Sequence, residues 1–347
     1  MGQFRSNGQT GGRLRLDRGG IMIEVLEYGA RLSRCLVPDA TGHRADIVPG
    51  FDTAEAYAER GGVTGSIVGR YGNRIEGGRI AIGDRVFELS RNDGVHTMHG
   101  GAQNFSSRIW RGEYVDDDTI RLRLTSPEGD QGWPGHVEAQ VEYRLGSNQT
   151  LAIDMSATSD TDTYLNMLFH GYWNLAGQGT GPVLAHWLKL AADHYLPKGG
   201  PGVPTGEILS VADTAFDFRR GKRLGQDIAR VGRGYGHAFC LSNYRPGRVA
   251  PALVLACPSS GRALTLRTDQ PSVQVYTANL WSAIEGKGGA VYDAHSAVAL
   301  ETQAYPNAPN TPTFNPRPLR AGETYTNRMR FAFHNVARRD RGAALFS

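Results

Sequence analysis

Strict alternation of apolar and polar residues limits this chain more than any other feature. Val137, Ala139, Val141, Tyr143 and Leu145 interleave with Glu138, Gln140, Glu142 and Arg144. A period of two puts one set of side chains in a core and the other in water, which describes an antiparallel strand with one wet face. Shorter runs with strand character follow at Ile120–Leu124, Leu151–Ala157, Ala263–Thr268, Val273–Ala278 and Val298–Ala304, separated by turn signals such as Pro127-Glu128-Gly129-Asp130. Only Thr53–Glu59 and Gln226–Val231 read as helices. The 45 glycines among 347 residues are about twice the usual share, as many turns between many strands require. The expectation is an all-β chain built from large packed antiparallel sheets. It is divided into a polar, flexible stretch over 1–20, one domain over 21–336 and a basic tail over 337–347.

Composition narrows the function classes. A formal charge of +4 is small for this length, and only Arg338, Arg339 and Arg341 cluster, so no stripe for nucleic acid is expected. Three scattered cysteines suit neither a disulfide framework nor a zinc cluster. No run nears the roughly 18 apolar residues that span a bilayer, and the first residues have no apolar core resembling a signal peptide. A cytoplasmic protein that does not bind membranes is the expectation.

Two segments break the wet-outside pattern. Leu165–Asn174 reads as a strand with apolar Leu165, Met167, Phe169 and Trp173 on one face. Asn166, His170, Tyr172 and Asn174 fall on the other. Amides, an imidazole and a phenol suit a groove for sugar hydroxyls, with Tyr172 or Trp133 against the sugar's C–H face. A histidine satisfied inside a polar core patch is the competing reading of His170. In Val298–Tyr305, Glu301 lies between apolar neighbours, where burial without a partner or a task is costly; an exposed strand face is the alternative. Two glycine-flanked segments, Gly69–Ile75 with Asn73 and Arg74, and His96–Gly101 with His99, are candidate pocket corners or ordinary hairpins.

These pieces belong to an ordered series. Gly-Arg-Tyr-x-Asn-Arg-Ile at Gly69–Ile75 is followed by Met98-His99-Gly100-Gly101 and by the Ser-Pro-x-Gly…Gly-x-Pro-Gly stretch at Ser126–Gly135. Then come Asn166–Leu175, Pro204-Thr205-Gly206-Glu207-Ile208, Phe216-Asp217-Phe218-Arg219 and Glu301–Asn310. The series, spanning roughly residues 20 to 335, resembles the aldose 1-epimerases, or galactose mutarotases. The resemblance implies a β-supersandwich fold. It also implies an enzyme acting on a free hexose or pentose without metal or organic cofactor, as a monomer or homodimer. It implies His170 and Glu301 as catalytic pair and Asn73, Arg74, His99, Gln303 and Tyr172 as substrate-binding residues. The chain departs from the family's usual Tyr-Asp-His at Tyr235-Gly236-His237, from Pro-Asp-Ala at Pro306-Asn307-Ala308 and from Tyr-Phe-Asn at Tyr172-Trp173-Asn174. Gly236 has no carboxylate for sugar hydroxyls, and a shifted one, Asp193, is the expected substitute.

Opening a cyclic hemiacetal requires a proton taken from the anomeric hydroxyl and one given to the ring oxygen. A glutamate ionised at neutral pH and a histidine held as imidazolium by nearby negative charge are the expected base and acid. Three other readings stay open. One is a sugar-phosphate mutarotase, for which Arg70 and Arg74 are the arginines near the site. Another is a sugar-binding or regulatory protein without turnover. The third is a related ring-opening or isomerising reaction on a larger substrate.

Overall fold

The computed structural model describes residues 4–6, 9–200 and 202–336; the basic tail expected over 337–347 lies outside them. Every named strand pair is antiparallel. A nine-stranded sheet runs in the order Arg111–Asp116, Thr119–Ser126, Val137–Gly146, Thr150–Ser159, Thr324–Asn335, Arg262–Thr268, Ala250–Ala256, Trp187–Leu190, Lys222–Arg223. The alternation acts here as its period dictates. Val137, Ala139, Val141, Tyr143 and Leu145 are buried while Glu138 and Arg144 face water, and Val141 pairs with Leu122 on one side and Met155 on the other.

A six-stranded sheet, ordered Tyr172–Trp173, Val298–Gln303, Ser272–Tyr276, Gly236–Leu241, Ala192–Tyr195, Leu209–Ser210, shares that core. Its strand Val298–Gln303 is buried along its whole length. Val298 and Leu300 join Phe331, Val141 and Ile153 in the main core. Each such side chain contributes roughly 1.5–3 kcal/mol of burial. Asn327 ties the two sheets together, donating to the carbonyls of Met167 and Thr302 at 3.0 and 2.8 Å. A third, four-stranded sheet, Arg13–Arg18, Ile21–Leu26, Arg31–Pro38 and Arg44–Asp46, adds Leu14, Leu16, Ile23 and Val25 to the same core. Among the described residues no helix is long and apolar enough to cross a membrane.

The short helix expected over Thr53–Glu59 is present: Thr53 Oγ1 accepts from Ala56 N and caps an α-turn, Ala54–Ala56, that continues as a π-helical turn over Tyr57–Gly61. Two expectations need correction. The helix expected over Gln226–Val231 is a single 3₁₀ turn, Ile228–Val231, too short to repay helix nucleation. The strand expected over Leu165–Asn174 is two short ladders. Leu168–Phe169 pairs with Ile67–Val68, and Tyr172–Trp173 pairs with Val298–Ala299. His170 and Gly171 form the break between the two ladders. There the backbone binds Gly65 and Ser66 instead, through Gly65 N to His170 O and His170 N to Ser66 O, both 2.9 Å. A Cβ on Gly171 would lie 2.2 Å from the Phe169 ring, so only glycine passes through this bend.

Candidate active site

The bend delivers His170. Released from strand alternation, it is buried at 5% exposure, and its Nε2 lies 3.5 Å from Oε1 of Glu301, itself 2% exposed. Glu301 is placed by register: it sits opposite Gln274 in the neighbouring strand, and Gly236 sits opposite Tyr276 one strand further on. The same bend corrects the face expected for Leu165–Asn174. Asn166 spends its amide on Gly72 O and Ala304 N, and Asn174 binds Gly181 O and Ser296 O. Of the four polar residues, only His170 and Tyr172 reach the cavity, which measures about 660 Å³ and is large enough for a monosaccharide.

The two glycine-flanked segments meet at the cavity wall. Arg74–Ile75 and Thr97–Met98 form a two-stranded ladder. Beside it Asn73 and His99 interlock, both in the left-handed region at φ 63° and 56°. Asn73 N donates to His99 Nδ1 at 3.2 Å, and His99 N donates to Asn73 O at 2.9 Å. A ring nitrogen that accepts from an amide carries no proton, so neutral His99 holds its proton on Nε2. The His99 ring meets the His170 ring edge-on, with centroids 5.2 Å apart. Arg74 N donates to Asn73 Oδ1, and Arg74 Nε donates to Asp93 Oδ2 at 2.6 Å while the side chain lines the cavity.

Tyr172 forms the aromatic floor. It stacks on His170 at 5.1 Å and packs against Trp281 at 4.7 Å. Trp133 lies away from the cavity, buried against Tyr71, with its indole N–H donated to Gly100 O. Gln303 is fully buried two residues beyond Glu301 and is absent from the cavity lining. Arg70 is structural: its guanidinium donates to Ser126 Oγ and to the carbonyls of Ser126, Pro127 and Pro134. Asp193 does not replace the carboxylate missing at Gly236. It accepts from Ser242 Oγ and pairs with Arg219 in a separate groove.

The position over Gly236 is occupied by a residue that sequence reasoning missed. Lys198 Nζ donates to Gly236 O, which also accepts from Gln274 Nε2 at 2.9 Å. His237, Gln274, Tyr276, Asn279 and Arg233 complete this side of the cavity. The only hint in the sequence was Gly236 itself, a side chain missing where the series has a carboxylate.

Burial sets the protonation states and reverses part of the expectation. It holds His170 well below its ordinary range, helped by the adjacent His99 and Arg31. It pushes Glu301 up to about 8, with Lys198 pulling the other way. His99 and His237 are each held down at about 4, again mainly by burial. Desolvation penalises the charged form of both partners, so burial favours a neutral pair, with its single proton on Glu301 rather than on an imidazolium. An acid and a base 3.5 Å apart, holding one proton between them at the wall of a sugar-sized cavity, can exchange protons with two oxygens of one substrate.

Comparisons with known proteins fit this geometry. A family model described as aldose 1-epimerase matches residues 12–332. The galactose mutarotase of Mus musculus is 35% identical over 335 residues, covering 96% of this chain and 97% of that protein. The aldose 1-epimerase of Escherichia coli (strain K12) is 33% identical over 322 residues, 90% and 92% of the two chains. Among solved structures, a GalM/aldose epimerase homologue from C. elegans superposes with a TM-score of 0.88 at 29% identity, over 94% of this chain and 100% of that one. A galactose 1-epimerase from Lactobacillus acidophilus NCFM gives 0.83 at 25%, over 96% and 97%.

Proposed function

The chain belongs to the aldose 1-epimerase family, and from that premise we propose that it interconverts the α and β anomers of a free aldose, with His170 and Glu301 as its acid–base pair. The observation that carries the reading is the 3.5 Å approach of His170 Nε2 to Glu301 Oε1 inside one cavity.

The cycle begins as the sugar binds. Hydroxyl donors on Glu301 and a ring oxygen accepting from His170 supply the hydrogen bonds that burial denies the charged forms, and the shared proton moves to the imidazole. Glu301 then takes the proton of the C1 hydroxyl while His170 gives its proton to the ring oxygen, and the bond between C1 and that oxygen breaks. Rotation about C1–C2 presents the other face of the aldehyde. His170 recovers its proton from the C5 hydroxyl, that oxygen attacks C1, and Glu301 returns its proton to the former carbonyl oxygen. No net proton is consumed. Asn73, Arg74 and His99 hold hydroxyls, and Tyr172 offers a ring face to the sugar's C–H groups. All cavity-lining residues fall within 21–336, which we take as the one domain that carries the activity.

Polarimetry on freshly dissolved α-anomers tests the proposal. Mutarotation faster than in buffer, and lost in Glu301→Gln and His170→Asn, supports it. Relaxation at the buffer rate across hexoses and pentoses leaves sugar binding without turnover in its place.

A further inference from the structure

The end of the cavity around Gly236 is cationic, and among the described residues two of its cations have no paired carboxylate. Four charged side chains line the cavity: Arg74, Lys198, Arg233 and Glu301. Arg74 is matched by Asp93. Among the described residues, no carboxylate comes within ion-pair distance of Lys198 or Arg233. Arg233 is exposed at the mouth, whereas Lys198 is half-buried, and it gives only one of its three N–H donors, to Gly236 O. A half-buried, unmatched ammonium is costly unless something else supplies the anion. Burial, followed by the nearby Arg74, brings Lys198 down to about 8, with Glu301 across the cavity pulling the other way.

Gly236 explains why the ammonium has room. Its backbone does not require glycine, since it is absent from the positive-φ residues. A Cβ there would meet Lys198 Nζ at 3.4 Å, Tyr276 Cδ2 at 3.5 Å and Asn279 Nδ2 at 3.8 Å, with no collision. The missing side chain therefore leaves room that the Lys198 ammonium, with Tyr276 and Asn279, already borders at contact distance. Sheet register places this space relative to the chemistry. Ala238 is level with Glu301 two strands across, through Gln274, and Gly236 lies two residues further along that strand. With strands about 4.8 Å apart and about 3.4 Å per residue, that is about 12 Å. Glu301, Gly236 and Lys198 line the same cavity, so a group on the ring end remote from C1 is the part of a pyranose that Lys198 can meet.

We propose that the aldose turned over here bears an anionic group, a carboxylate or a phosphate, on the end of the ring remote from C1, and that Lys198 over Gly236 reads that group. The inference rests on the anomerase reading above and specifies its substrate class. Lys198 is the specificity residue, Gly236 leaves room for its ammonium at the cavity wall, and Arg233 adds charge at the mouth.

The test is anomeric exchange by NMR, comparing kcat/KM for D-glucose and D-galactose with D-glucuronate, D-galacturonate and the two hexose 6-phosphates. At least one anionic series is expected to exceed its neutral parent at least tenfold. The uronate and phosphate arms show which anion is used. Lys198→Met should cut the anionic-to-neutral ratio at least tenfold, and Gly236→Asp, whose carboxylate would pair with Lys198, should cut it similarly. Neutral hexoses turned over as well as both anionic series, with the ratio unmoved in Lys198→Met, would overturn the inference and leave the anomerase reading standing. If no sugar is turned over, the anomerase reading fails, and calorimetric titration decides the anion question. Uronate or phosphate sugar bound at least tenfold more tightly than galactose, through Lys198, supports it, and equal binding overturns it.

Discussion

His170 Nε2 and Glu301 Oε1 face each other at 3.5 Å, held by two different devices. Glu301 is fixed by the register of a strand buried on both faces, His170 by a bend that only Gly171 permits. Neither residue can shift without moving the core behind it. The gap is longer than a tight hydrogen bond, so the pair is poised around a space rather than closed on itself.

Removing either partner should therefore remove the chemistry and not the fold. Glu301→Gln keeps the size of the side chain and His170→Asn keeps a polar, hydrogen-bonding one, and each is expected to lower kcat by at least about 100-fold, the usual worth of one positioned acid or base. Circular dichroism should stay near that of the parent. A variant retaining more than a tenth of the parent rate would remove that residue from the mechanism.

The pair also leaves a signature in stability. A carboxyl raised to about 8 in the folded state, against 4.5 ordinarily, binds a proton that the unfolded chain releases. Its contribution is complete below pH 4.5 and is lost as pH rises through 8. Glu301→Gln has nothing to lose over that interval. Its stability relative to the parent should grow by about 1.4 kcal/mol per pH unit between roughly 6.5 and 8, then level off. The interval starts above the range in which His170 titrates. Urea unfolding at three pH values measures it; parallel curves would show that Glu301 is not raised.

How much of this was legible beforehand divides along physical lines. Local patterns were readable. The period of two from Val137 to Leu145 fixed which side chains enter the core, and the ordered series pointed to His170, Glu301, Asn73, Arg74 and His99, all of which line one cavity. Properties set by distant packing were not. The break at Gly171 depends on the Phe169 ring and on the Gly65–Ser66 backbone. The neutral state of the pair depends on burial, which no local pattern reports. Lys198 sits beside a glycine-rich turn and gains meaning only where it meets Gly236, which comes much later in the chain.

Arg70 is a second residue whose surroundings change its reading. An arginine beside Asn73 looked like a pocket cation, but it is 2% exposed and serves three carbonyls and a hydroxyl. Arg70→Met would leave those acceptors buried and unpaired, each costing about 1–3 kcal/mol. A loss of at least about 3 kcal/mol in urea unfolding is expected, with KM of the folded fraction unchanged. A raised KM at unaltered stability would return Arg70 to the sugar site.

The pH profile of kcat/KM brings these strands together, because it reports the free enzyme. The active pair holds one proton, wherever it resides. A second proton goes to His170 only well below 6.5, so activity toward a neutral hexose should be flat from about pH 6.5 to 7. Loss of the single proton ends activity on the alkaline side, near the value of about 8 to which Glu301 is raised. Lys198 titrates in the same range, so this limb belongs to the coupled groups and not to Glu301 alone. The cation of Lys198 favours ionised Glu301, so removing it in Lys198→Met must raise the carboxyl further and move the alkaline limb to higher pH. A profile that instead climbs through pH 8 would mean that the fully deprotonated pair is the active form. A limb that stays in place in Lys198→Met would mean that the ammonium and the carboxylate do not sense each other across the cavity.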